Sequence, residues 1–165
     1  MPNVSHPITI SLWFSPRRGS DGEDRVPLDG LDEWEQALTR AVDQQYPEEF
    51  KAMVLQIAME LQGKVKEKTP KQTGRLQGAW EVGETRKSGN DYVIEVYNNV
   101  EYAEAVEWGH RQTPGRYVPA LGKRLKAKTV KGAHMMELSL QELETVLPGF
   151  LREWLNEFLN THDIV

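Results

Sequence analysis

The most regular pattern of apolar positions lies at Phe50, Met53, Val54, Ile57, Ala58, Leu61 and Val65. Steps of three and four residues align these positions as one stripe along a helix, and packing against a core is the preferred role for such a stripe. Pro47 suits a first helical position, where its missing N–H loses no partner. Glu48 and Glu49 follow where the helix dipole favours negative charge. Lys64, Lys66 and Lys68 bring cations to the last turn, and Pro70 disfavours helical geometry at Thr69, so the helix is predicted to stop there. Upstream, Leu31, Trp34, Ala37, Leu38 and Val42 predict another helix over Leu31 to Val42. Asp29 or Asp32 would cap it, and Tyr46-Pro47 separates the two.

Elsewhere the period changes to two. Ile8, Ile10, Leu12 and Phe14 alternate with Thr9, Ser11 and Trp13, which predicts a strand. Ser15 to Arg25 is polar and glycine-containing and reads as a loop. Thr73-Gly74 is a turn, and Leu76 to Arg86 reads as a strand carrying Trp80 and Val82. Ser88-Gly89-Asn90-Asp91 is a hairpin-type connection into a strand from Tyr92 to Asn98, with Tyr92, Ile94 and Val96 on the core side. Asn98 or Asn99 would cap a short helix from Glu101 to Trp108, and Gly109 suits the left-handed position just after it. His134 to Asn160 is helical, with apolar spacing that stays in phase across Pro148. One kinked helix and two abutting helices both fit that phase, and Thr161 to Val165 is expected to fray. No internal repeat interrupts this order.

A length of 165 residues fits one domain with a real core. Cysteine is absent, which removes disulfide frameworks and zinc-finger spacings. No apolar run approaches the length of a membrane span, and the N-terminus lacks the basic-then-apolar order of a signal peptide. The net charge of −5 speaks against a dedicated nucleic-acid binder, but it conceals a polarised chain. His110 to Lys131 holds Arg111, Arg116, Lys123, Arg124, Lys126, Lys128 and Lys131 and no acidic residue, so the remainder carries −12 (−5 = +7 − 12). With Pro114, Gly115, Pro119 and Gly122 this segment reads as a long exposed arm, with a short hairpin around Tyr117 to Val130. A solvated loop is the plain alternative. As a docking segment the arm would meet an acidic protein surface or DNA phosphates. Tyr117 is its one aromatic residue, so stacking on bases is poorly supported and DNA contact is not favoured.

Candidate chemistry is sparse. Glu107-Trp108-Gly109-His110 has the Glu-x-x-His spacing of di-metal bundles, but such sites need two pairs and further carboxylates on long helices. Gly109 would end the helix between the two ligands, so a capped helix end is the preferred reading. No serine sits in a nucleophile elbow, and no glycine-rich phosphate loop follows a strand. The reading is of a non-enzyme with no catalytic residue, cofactor or metal.

Several features occur together in one order: Gly30-Leu31-Asp32-Glu33-Trp34, Lys68-Thr69-Pro70, Thr73-Gly74-Arg75-Leu76, then Tyr102-Ala103-x-x-Val106-Glu107-x-Gly109-His110-Arg111, a basic loop, and Gly132 before a final helix. In this the chain resembles the head–tail joining or tail-completion (neck) proteins of long-tailed bacteriophages and prophages, over roughly Gly30 to Val146. The resemblance implies an α+β fold, with a small, mostly antiparallel sheet packed by two or three amphipathic helices and a long basic loop. It implies one tail-completion-like domain over residues 30–165, preceded by a strand-and-loop extension over 1–29. It implies a virion protein, present in the host cytoplasm during assembly, that meets other tail or neck proteins and closes into a ring, commonly hexameric, from a subunit that can exist as a monomer. By the family pattern the loop orders on assembly. Candidate contacts are Arg111, Arg116, Tyr117, Lys123, Arg124, Lys126 and Lys128, with Tyr102, Glu107, Trp108, Gly109 and His110 at the loop base. A nucleic-acid-binding accessory protein using residues 110–131 is the alternative.

Overall fold

In the computed structural model the apolar stripe of helix α2 (Pro47–Lys68) is the axis of packing: Phe50, Met53, Val54, Ile57, Ala58, Leu61 and Val65 are all buried. The structure describes residues 8–14, 31–71, 74–119 and 122–164. The predicted loop from Ser15 to Arg25, the candidate cap Asp29 and Thr73 lie outside the described residues, as do the side chains of Leu31, Asp32 and Trp34.

The stripe covers one face of an antiparallel sheet built round its longest strand, β4 (Asp91–Asn98). Strand β1 (Ile8–Phe14) pairs along the whole length of β4, Ile8 opposite Asn98 and Phe14 opposite Tyr92. On the other side β2 (Trp80–Val82) pairs with the end of β4 and β3 (Arg86–Ser88) with its start. The four steps from Val82 to Arg86 face only three from Val96 to Val93, so a bulge at Gly83 to Thr85 bends this edge. Tyr92, Ile94 and Val96 point into the core beside Trp80, as the alternation predicts. Thr9, Ser11 and Trp13 are exposed on the opposite face.

Two local expectations are corrected. Leu76 to Arg86 is not one strand: Gly74 takes a positive φ of 72° and opens a one-turn helix, α3 (Arg75–Gly78), before β2 begins. Burying Leu76 under α2, while the Gln77 side chain donates to Lys66 O at 2.8 Å, wins over strand geometry here. Neither Asn98 nor Asn99 caps the next helix, α4 (Ala103–Trp108), which has no side-chain cap. Asn98 is fully buried and is used elsewhere: its amide donates to Leu76 O at 2.9 Å and its oxygen accepts from Val100 N–H at 3.0 Å.

Helix α1 (Leu31–Arg40) runs into a wider π-helical turn, Ala41–Gln45, that buries Ala41 and Val42 before Pro47 starts α2. Helix α5 (Met135–His162) is a single helix through Pro148, which settles the two possibilities left by its phase. It packs against α2 through Met135, Met136, Leu143 and Phe158. Its end does not fray at Thr161: the helix reaches His162, whose ring stacks on Tyr46 at 3.6 Å and meets Glu49 Oε2 at 2.8 Å. Glu142 bridges back to Lys68 at 2.8 Å, and that contact holds its carboxyl below the usual carboxylate range.

The Thr-Pro stop after α2 has a second use. Thr69 takes an extended conformation ahead of Pro70, and its hydroxyl donates to Val65 O at 2.7 Å while accepting from the buried Trp80 Nε1 at 2.9 Å. Thr69→Val keeps the shape and removes the acceptor, leaving the indole N–H without a partner. We expect a loss of about 1–3 kcal/mol in urea unfolding with unchanged slope. A midpoint equal to wild type would mean water replaces the threonine.

Candidate functional site

The basic segment folds as a two-stranded ribbon. Strands β5 (Gly109–Arg111) and β8 (Thr129–Lys131) pair at its root, and β6 (Tyr117–Val118) and β7 (Lys123–Arg124) pair nearer its tip. Between them Gln112 N–H donates to Lys128 O at 2.9 Å and Gly115 N–H to Leu125 O at 2.8 Å. The pairing therefore extends beyond the hairpin expected around Tyr117 to Val130 and takes in the root at Gly109. Leu125 faces both Gly115 and Arg116, donating to Arg116 O at 2.9 Å, so the outgoing strand carries an extra residue where Gly115 has a φ of 85°. Arg124 reaches across to Gly115 O at 2.6 Å. Near the tip, Gly122 N–H donates to Pro119 O at 3.1 Å.

Most of this ribbon faces solvent. Arg111, Arg116, Lys123, Arg124, Lys126, Lys128 and Lys131 are exposed, and Tyr117 is 52% exposed among them. Val118 and Leu125 are half-buried, and no described residue from Gly109 to Lys131 is buried. The seven cations thus sit on a narrow ribbon without an acid between them.

The root is tightly made. Gly109, at φ 83° and ψ 172°, crosses Gly132 backbone to backbone. A Cβ on Gly132 would overlap Glu107 O and lie 2.6 Å from Trp108 C, and one on Gly109 would overlap Val130 O and lie 2.7 Å from Gly132 N. Across this crossing Ala133 N–H donates to Val106 O at 2.7 Å and His134 N–H to Glu107 O at 3.0 Å. The last turn of α4 is thereby fastened to the chain that enters α5.

Glu107 completes the joint. Its side chain is buried, and its two oxygens accept from Met136 N–H and Glu137 N–H, each at 3.0 Å. Helix α5 has no capping side chain of its own, since His134 sits before it in the left-handed region at φ 49°. A carboxylate from α4 supplies the cap from 29 residues away. Both oxygens of Glu107 face helix N–H groups and His110 lies exposed on β5, so the Glu-x-x-His spacing does not assemble a metal site. Trp108 is 59% exposed and meets the His134 ring edge-on at 5.6 Å. Tyr102 lies a turn earlier, half-buried, with the Arg75 guanidinium 5.7 Å from its ring centre. Arg75 binds both oxygens of Glu101 at 2.8 and 2.9 Å, which lowers the Glu101 carboxyl below its ordinary range. The capping role of Glu107 had no local signal; its sequence trace is an acidic residue just before one member of the pair Gly109 and Gly132.

Among the described residues no group of three or more His, Asp or Glu side chains is placed to hold a metal, and no helix is long and apolar enough to cross a membrane. The geometry is that of an α+β domain whose distinguishing feature is a cationic ribbon on a fastened root. Residues 32–109 match the model of the family described as "Bacteriophage HK97-gp10, putative tail-component". Over that stretch the chain carries the sequence pattern of a phage tail-component family, in keeping with the resemblance to head–tail and neck proteins. The family's description points to a structural component of a phage tail. The matched stretch runs from α1 to the root glycine and stops where the ribbon begins. No curated protein and no solved structure matches the chain.

Proposed function

We propose that the protein completes the tail or joins head to tail by closing into a ring, with a hexamer the expected stoichiometry, and that the basic ribbon is its docking element. The observation that carries this reading is the ribbon itself: seven cations, no acid, no buried residue among those described and a root held by crossing backbones. A lone two-stranded hairpin is marginal in water. A neighbouring subunit or the preceding ring would stabilise it, so the ribbon gains full order on docking. Ordering costs conformational entropy, which weakens premature contacts and makes assembly conditional on the right surface. The subunit would be made in the host cytoplasm and reach the virion by this step.

Replacing Lys123, Arg124, Lys126 and Lys128 by glutamine tests the reading. Surface changes of this kind shift stability by about 0.5 kcal/mol or less each, so the thermal transition should hold. Joining of heads to tails should fail, read as free heads and tails by electron microscopy and as lost infectious titre. Normal titre would remove the ribbon as docking element. Salt-dependent retention of the wild-type protein on DNA, lost in the variant, would instead favour a nucleic-acid accessory role.

A further inference from the structure

One surface of the molecule has the opposite character to the ribbon. Helices α2 and α5 leave a groove between them, formed by two adjoining cavities of about 270 and 340 Å³ that share Gln56. Its apolar lining includes Ile57, Leu147, Phe150 and Trp154, and Val146 stands 48% exposed at its side. Its charged lining is acidic throughout: Glu49, Glu60 and Glu157, with no lysine or arginine among the lining residues. Lys64 approaches Glu60 to 3.4 Å from outside, and His162 meets Glu49 at 2.8 Å.

The ribbon offers the complement. Tyr117 stands 52% exposed, paired with Arg124, and Val118 is paired with Lys123. An exposed aromatic flanked by cations fits an apolar channel edged by carboxylates. Opposite potentials would steer encounter, and the buried aromatic would supply the anchor.

We propose that the groove between α2 and α5 receives the basic ribbon of a second copy of this chain. The inference rests on the ring-assembly reading and names the acceptor surface within it. Ribbon and groove are different patches, so the contact is heterologous: each copy gives its ribbon to one neighbour and accepts one from the other. Contacts of that type generate a ring when the rotation closes. The glycine crossing and the Glu107 cap would then set ring geometry, because they fix the direction in which the ribbon leaves the body.

Charge reversal on each side tests this. One variant carries Lys123→Glu and Lys126→Glu on the ribbon; the other carries Glu60→Lys and Glu157→Lys in the groove. All four side chains are exposed, so both variants should keep the wild-type melting transition. Sedimentation velocity at low salt should show wild-type association with rising concentration, weakened roughly tenfold or more in either variant alone. An equimolar mixture of the two should associate again, since the two glutamates on one variant's ribbon meet the two lysines in the other's groove, while the second contact pairs an unaltered ribbon with an unaltered groove. Failure of the mixture, with wild type associating and the ribbon variant not, would overturn the groove as acceptor while leaving ribbon-driven assembly standing. Association of the ribbon variant at wild-type strength would overturn the ribbon as docking element, and the present inference with it. A wild type that stays monomeric at every concentration would exclude a second copy as the partner.

Discussion

Gly109→Ala should be among the most destabilising single substitutions in this chain. The position has φ 83° and ψ 172°, a region that residues with a side chain scarcely enter. That strain alone is of order 1–3 kcal/mol. The added Cβ would also overlap Val130 O, on the strand paired with this one, and sit 2.7 Å from Gly132 N. Overpacking of this sort costs about 1–3 kcal/mol more, so we expect about 2–6 kcal/mol in total. Gly132→Ala should share the steric part, because its Cβ would overlap Glu107 O on the facing chain. Gly63→Ala supplies the contrast. That glycine lies within α2 with nothing within 4 Å of a new Cβ, so alanine should stabilise by about 0.5–1 kcal/mol. Chemical denaturation of the three variants decides the matter. Loss at 109 and 132 with gain at 63 is the expected pattern, and equal small effects at all three would mean that the crossing is loose.

The contrast also shows what was legible in the chain. Periodicity is local information, and it located α2, β1, β4 and α5 because each buries one face of a regular element. The in-phase apolar positions on both sides of Pro148 were likewise enough to predict helix there, although phase alone could not choose between one helix and two. Leu76 misled because an isolated apolar residue before Trp80 fits a strand or a helical turn equally well. What decided it was the space under α2 and the carbonyl of Lys66, both set by tertiary packing. Asn98 looked like a helix cap for a similar reason: its side chain satisfies backbone groups, as caps do, but those groups belong to α3 and to Val100.

At the candidate site the charge was legible and the geometry was not. Composition alone marked His110 to Lys131 as a basic, acid-free segment. Its near-continuous pairing needs Gly109 opposite Lys131, a relation between residues 22 positions apart that no local pattern records. The bulge at Gly115 and the crossing at Gly132 are likewise products of two chains meeting. Glycine marks both places, but many other glycines here are open to a side chain, so the residue type by itself does not separate a hinge from a spacer.

Replacing Glu107 should uncouple the ribbon's root from the body. In Glu107→Ala the Met136 and Glu137 N–H groups lose their acceptor, in a place where the first is fully buried and the second partly so. Hydrogen bonds to a charged group contribute about 1.5–3 kcal/mol each, which puts the expected loss for the two at about 3–6 kcal/mol. Glu107→Gln separates charge from shape. One oxygen can still accept, but the amide nitrogen must face a second N–H, and the favourable interaction with the helix dipole is gone. Roughly half of the alanine effect is expected. Hydrogen exchange should locate the change: amides at the first turn of α5, from Met136 to Leu138, should lose protection before those near Leu143. Because Val106 and Glu107 carbonyls also hold Ala133 and His134, loosening this turn releases the returning strand of the ribbon. If the ribbon docks as proposed, Glu107→Gln should impair head–tail joining while far-ultraviolet circular dichroism stays close to wild type. A glutamine variant with wild-type stability and wild-type exchange at Met136 would show that the cap is served by shape alone, and that the carboxylate charge does not aim the ribbon.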